Sequence, residues 1–344
     1  MTVSVSDPFA AATDAAMPFL ARATDPKDAE RRIGLLVGRA ARLLSIRVVR
    51  YKPGRRCLVE YDFESDRGNV GSDRVTLVGK ARARGSPKEG DRLLRLLRDR
   101  GFGDGAEDGI GVPEPVGVVR EYRMSVQRKV PGLPASHLFG EPGDAALAGR
   151  VARAACKLHR AGILPRRSHS IADEIAILQE KLGELSASRP AWSRRLARLL
   201  EKCERLAAGV STTAPRGIHR DFYADQVLVN GPRLHLVDFD LFCQGDPALD
   251  AGNFLGHLSE QALRIFGDAT ALSDCERAFE EQFVSLSGPT TRPAVRAYAT
   301  LTIARHVYLS TRFEERQAFT ESLLELAEER VDAGARIGAR MGVL

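Results

Sequence analysis

Tryptophan occurs once in 344 residues, and aromatic side chains make up only 6% of the chain. The five cysteines, Cys57, Cys156, Cys203, Cys243 and Cys275, are odd in number and scattered. They have no zinc-ligand spacing and suggest no disulfide framework, which points to reduced, buried thiols in a cytoplasmic protein. No apolar run approaches the ~20 residues a membrane span requires. The N-terminus is rich in small residues, but Asp7 and Asp14 interrupt it and no basic segment precedes it, so it makes a poor signal peptide. Internal repeats, low-complexity segments and a Gly-x-Gly-x-x-Gly string are all missing.

What is present is ordinary for a soluble globular protein: 44% hydrophobic and 28% charged residues, with length for about two domains. The net charge of +6 raises the question of nucleic acid. The basic residues are mostly arginines dispersed among acids, aromatics are few, and no nucleic-acid-binding motif appears. Nucleic acid is therefore not expected as a partner, and modest basicity also suits a protein that holds a polyphosphate.

The most informative segment is Ile218-His219-Arg220-Asp221-Phe222-Tyr223-Ala224-Asp225-Gln226-Val227-Leu228-Val229, followed by Leu236-Val237-Asp238-Phe239-Asp240. Val227–Val229 reads as a strand, Asn230-Gly231 as a turn and Arg233–Val237 as the returning strand. Folding back near 231 or 232 brings Asp238 level with Asp225 or Gln226, with Asp221 one short loop further out. Carboxylates and an amide oxygen then converge, the donor set preferred by a hard cation such as Mg²⁺. A carboxylate left free there can orient a hydroxyl for attack.

This pattern resembles the catalytic and metal-binding segments of the aminoglycoside phosphotransferase and choline kinase superfamily, relatives of the protein kinases. There His-x-Asp is followed after four residues by Asn, then by a hairpin ending in Asp-Phe or Asp-Trp and a further acid. His219, Asp221, Asp238 and Asp240 match, and Gln226 stands at the Asn position. The resemblance implies Asp221 as catalytic residue, Asp238 as the main Mg²⁺ ligand, Gln226 as a second ligand, and His219 packed beneath the loop. It implies an α+β, bilobal protein-kinase-like fold: a small antiparallel-sheet lobe over residues 1–130 and a mainly helical lobe over 131–344. Its cofactors would be ATP or GTP with Mg²⁺, and its partner a small molecule bearing a hydroxyl.

Before the motif, residues up to about Asp25 show no clear period and read as a loosely attached arm. Lys27–Leu44 reads as a helix, and Ile46–Tyr51, Arg56–Phe63 and Val75–Arg82 as three antiparallel strands. Lys80 lies in the third, where the resemblance makes it the lysine that holds the donor's α- and β-phosphates. A helix starts at Ser86-Pro87-Lys88-Glu89. Glu89 is either the ion-pair partner of Lys80 or part of a capping box with Ser86. Arg55 and Arg56 in the turn Lys52–Arg56 are either phosphate contacts or a solvated basic turn. Strands Val116–Arg120 and Met124–Lys129 lead to Pro131-Gly132, and the resemblance implies that backbone groups of Gln127, Arg128 and Lys129 bind the adenine.

The remainder reads as helical. One helix ends at His159-Arg160-Ala161-Gly162, with His159 packing or capping. Two amphipathic segments fill 171–208, and Gly245-Asp246-Pro247 introduces a further helix in which, by resemblance, Asp250 braces the catalytic loop. Two other readings stay open: a nucleotide-binding regulatory module with weak catalysis, and a partner- or nucleic-acid-binding protein.

Overall fold

A computed structural model describes residues 3–37, 41–66, 72–141, 143–211 and 213–340. Contacts divide the chain into two compact units, Met1–Gly132 with Asn230–Val237 and Leu133–Val229 with Asp238–Leu344. The main division falls two residues from the expected one, but Asn230–Val237 groups with the first unit. The reason is a strand pairing that composition does not reveal. β11 (Arg233–Leu236) runs parallel to β5 (Ile110–Gly111), Leu234 opposite Ile110, and the Leu234 N–H donates to the Gly109 carbonyl at 2.9 Å. Gly109 sits at φ +69°, and a Cβ there would lie 2.9 Å from the Pro232 carbonyl, so only glycine suits the approach.

In the first unit, β1 (Ser4–Ser6), β2 (Ala41–Lys52), β3 (Arg56–Asp66), β4 (Ser72–Arg82), β7 (Met124–Arg128) and β6 (Pro115–Val119) form one sheet in that order. Every pairing is antiparallel except β1 with β2. Cys57, Val59, Tyr61 and Phe63 all face the core, as their alternation predicts. Two expectations fail here. The helix expected over Lys27–Leu44 is α2 (Pro26–Val37), and Ala41–Leu44 belong to β2, where Leu43 is buried and its N–H meets the Glu30 carboxylate at 2.9 Å.

The N-terminal arm is not loose. Ala11, Met17, Leu20 and Ala23 are fully buried in the core of this unit, the last two on the short helix α1 (Phe19–Ala23). The Tyr61 hydroxyl donates to the Ala23 carbonyl at 2.9 Å. Their spacing hides this role, because short turns and Pro18 break any single period. Helix α3 (Pro87–Leu97) carries buried Leu94 and Leu97 and packs on β6 and β7.

The second unit is helical: α4 (Asp144–His159), α5 (Ile171–Ser188), α6 (Ser193–Ala208), α7 (Pro247–Phe266), α8 (Ser273–Ser287), α9 (Arg292–Ser310) and α10 (Thr320–Arg340). Small strand pairs interrupt it, β8 (Leu133–Pro134) with β10 (Val227–Asn230) and β9 (Arg216–Ile218) with β12 (Cys243–Gly245). Helix α7 is buried on almost every side. Gly252 and Gly256 let α9 close on it: a Cβ at either would lie within 3 Å of the Ala299 backbone. The Asp246 carboxylate caps α7, accepting the Ala248 N–H at 3.0 Å, with Pro247 in the first turn and left-handed Gly267 at the end. All five cysteines are free and buried. Among the described residues no helix is long and apolar enough to cross a membrane.

Candidate active site

The loop after β9 carries His219, Arg220 and Asp221, and its backbone is held from beneath. Asp250 of α7, fully buried, accepts the His219 N–H at 2.8 Å through Oδ2 and the Arg220 N–H at 2.7 Å through Oδ1. His159, in the last turn of α4, places its Nε2 2.8 Å from the same Oδ2. These bonds fix Arg220 at φ +69°, a left-handed conformation that non-glycine residues avoid. His219 is fully buried between the rings of Phe222 and Phe239, with centroids 5.8 and 5.0 Å away. Asp221 is half-buried, and its carboxylate makes no hydrogen bond or ion pair among the described residues.

The acidic segment Asp238-Phe239-Asp240 lies against this loop through the His219–Phe239 contact and the pairing of Cys243 with Ile218. Asp238 is also left-handed, at φ 62°. The Arg167 guanidinium donates to the carbonyls of Asp240 at 3.3 Å and Phe242 at 3.2 Å, so a residue before α5 pins the segment. Asp225, whose role the sequence left open, is exposed and accepts the Ser136 hydroxyl. Gln226 is only 5% exposed, yet its amide makes no hydrogen bond among the described residues. No group of three or more His, Cys, Asp or Glu side chains with metal-site geometry occurs among the described residues.

In the first unit, Lys80 sits in β4 in register with Leu58 and Ser125. Glu89 does not pair with it. Glu89 is exposed in the first turn of α3, makes no ion pair among the described residues, and lines an open groove with Lys88, Arg92 and Arg120. The capping box is not formed either: Ser86 is the N-cap but its side chain bonds no helix N–H. The N–H groups of Arg128 and Lys129 are already engaged, with the carbonyls of Glu114 and Thr76 at 2.8 Å each. The side chains of Arg128 and Lys129 pair with Glu114 and Glu60, both at 2.6 Å.

One cluster beside the loop escaped the sequence reading. The Tyr223 ring stacks on His257 with centroids 4.4 Å apart, and His257 Nε2 meets His306 Nε2 at 3.4 Å. Burial, with Arg305 nearby, drives both imidazoles far toward the neutral form, His306 down to about 3. No single motif marks them. The only signal is that His257 and His306 fall on helices that the Gly252 and Gly256 contacts bring together.

Comparison with known proteins agrees with this geometry. No curated protein matches the chain. Among solved structures, a choline/ethanolamine kinase family protein from Mesorhizobium loti superposes with a TM-score of 0.58 at 15% identity, covering 93% of this chain and 98% of that one. A thermostable mutant of aminoglycoside phosphotransferase APH(4)-Ia gives 0.56 at 17% identity, with 92% and 99% covered. Spectinomycin phosphotransferase APH(9)-Ia, in complex with ADP and spectinomycin, gives 0.54 at 12%, with 89% and 97% covered. The fold is thus that of the small-molecule kinases, α+β and protein-kinase-like. The model of the phosphotransferase enzyme family matches residues 75–298, well over half of the length, and the chain belongs to that family.

Proposed function

We propose that this protein transfers the γ-phosphoryl group of ATP or GTP to a hydroxyl of a small molecule. The observation that carries the reading is Asp221: a carboxylate without a partner among the described residues, on a loop whose backbone Asp250 holds at two consecutive N–H groups. Phosphoryl transfer asks the protein mainly for alignment and charge neutralisation. Asp221 orients the acceptor hydroxyl and takes its proton late in the transfer. Lys80 holds the α- and β-phosphates, and backbone groups of residues 127–129 receive the base. Asp238 and Gln226 would hold a Mg²⁺ ion, which when bound would neutralise charge on the donor phosphates. The presence of ADP in the spectinomycin phosphotransferase complex supports a nucleotide donor.

The acceptor is a small hydroxyl compound: a sugar, an amino alcohol or an aminoglycoside-like molecule. Two residues from Asp221, the Tyr223 ring stacks on His257, which burial keeps neutral. The test is an ATP- and GTP-consumption screen against a library of hydroxyl metabolites that includes aminoglycosides, run with Asp221→Asn in parallel. Turnover should appear with one of these acceptors and fall ~10²-fold or more in Asp221→Asn, the usual size of a general-base contribution. Wild-type turnover in that variant would remove Asp221 from the role. A second reading, a nucleotide-binding module with weak catalysis, draws on Gln226 standing where the family has Asn. It predicts thermal stabilisation by Mg²⁺ and nucleotide with no turnover on any acceptor.

A further inference from the structure

A chain of four polar side chains ends on the carbonyl that follows Asp221. Asn253 of α7, 2% exposed, donates its amide N–H to the Phe222 carbonyl at 3.2 Å. The amide oxygen of Asn253 accepts from Arg305 of α9 at 2.7 Å and from the Thr302 hydroxyl at 3.3 Å. A guanidinium has only donors to offer, so Arg305 dictates which way the amide faces, and the NH₂ is left for the Phe222 carbonyl. Arg305 is itself held by Glu174 of α5 at 3.0 Å, and Glu174 by His169 at 2.6 Å. Both acceptor and donor are buried, Glu174 at 4% and His169 at 7% exposure. The Arg305–Glu174 ion pair, largely withdrawn from water, adds little stability compared with apolar packing of the same volume, so its value lies in fixing an orientation.

We infer that Asn253, its amide turned by Arg305, is a positioning residue for the loop that carries Asp221. Asp250 holds the two N–H groups before Asp221, and Asn253 holds the carbonyl after it. The chain is thereby tied to α7 one peptide unit away from Asp221 on either side. Gly252 and Gly256 make the arrangement possible, because they admit the α9 backbone close enough for Thr302 and Arg305 to reach Asn253. The inference rests on the proposed role of Asp221 and adds a second anchor to it.

The test uses the full chain with Mg²⁺·ATP and Mg²⁺·GTP as probes, phosphate release with water as acceptor as the readout of turnover, and hydrogen exchange of the loop amides. Asn253→Ala should lower turnover roughly 10- to 100-fold, the scale of a displacement of about 1 Å. The nucleotide-induced rise in Tm should stay as in wild type, and exchange should quicken at Asp221–Tyr223 while α7 and α9 keep their protection. Arg305→Lys retains the charge opposite Glu174 but loses the planar fork. It should act in the same direction more weakly and add nothing to Asn253→Ala in the double variant. It also carries the test if Asn253→Ala does not fold. Unchanged exchange at Asp221–Tyr223, or additive effects accompanied by a lost nucleotide shift, would overturn the inference. Asp221→Asn separates the two ideas. If it retains wild-type turnover the proposed function fails, whereas normal turnover in the Asn253 and Arg305 variants beside an impaired Asp221→Asn sinks only the positioning role.

Discussion

The Asp14 carboxylate accepts the Gly54 N–H at 2.8 Å, and the same oxygen takes the Tyr51 hydroxyl at 2.7 Å. A residue of the N-terminal arm therefore fixes the turn between β2 and β3. The bond from Gly54, followed by that from Tyr51, holds the Asp14 carboxyl below the usual carboxylate range. A depressed folded pKa stabilises fully above the unfolded value of about 3.9, and that contribution is lost as pH falls through the folded value. Asp14→Asn should lower Tm at neutral pH, and its gap from wild type should close as pH drops below about 4. Thermal melts of both proteins from neutral to acid pH check this. An undiminished gap at low pH would assign the effect to something other than the carboxylate's charge.

His257 and His306 set a second pH dependence with its own window. Both are held neutral when folded, whereas in the unfolded chain each takes a proton near pH ~6.5. The unfolded state thus binds more protons below about 6.5, for His306 down to about 3, and stability falls as pH drops through that range. The loss is at most about 1.4 kcal/mol per pH unit for each imidazole. Urea unfolding at pH 7 and pH 5 should show a larger drop for wild type than for His306→Gln, which cannot take the proton. Equal drops would mean that His306 titrates alike in both states.

Removing Asp250 should damage stability and turnover together. Asp250→Ala leaves the buried N–H groups of His219 and Arg220 and the His159 imidazole without their acceptor. A loss of about 3 kcal/mol or more is expected in denaturant unfolding, with Asp250→Asn intermediate because one oxygen remains. A loss below about 1 kcal/mol would show that water reaches these groups and replaces the carboxylate.

The donor set for Mg²⁺ is tested by an ordering of variants. Gln226→Ala should raise the Mg²⁺ concentration needed for half-maximal phosphate release. Gln226→Asn should be milder, since it keeps an amide oxygen on a shorter arm. Asp238→Ala should be the most damaging, because it removes a charged ligand. If Gln226→Ala leaves the Mg²⁺ dependence unchanged while Asp238→Ala abolishes activity, Gln226 is a loop residue and no ligand.

Much of this was legible because it depends on local chemistry. The His219–Asp221 and Asp238–Asp240 pattern, the hairpin around Asn230-Gly231 and the alternation of Cys57, Val59, Tyr61 and Phe63 each declare themselves within a dozen residues. Asp250 and the buried setting of His219 followed from the family resemblance. What stayed hidden depends on partners far along the chain. Lys129 finds Glu60, His159 finds Asp250, and Arg167 finds the carbonyls of Asp240 and Phe242. No periodicity encodes such pairs. Glu89 misled for the opposite reason: both local readings were sensible, and the exposed carboxylate follows neither.

The parallel pairing of β11 with β5 has a consequence for how the protein is made. The first unit is not finished when Gly132 leaves the ribosome, because residues 230–237 are translated roughly a hundred positions later, about 5–20 s at ordinary elongation rates. Through that interval the strand Ile110–Gly111 waits without its mate, and the helices α4 to α6 emerge first. A fragment ending at residue 132 would carry that open edge permanently, so the two units belong to one chain in assembly as well as in sequence.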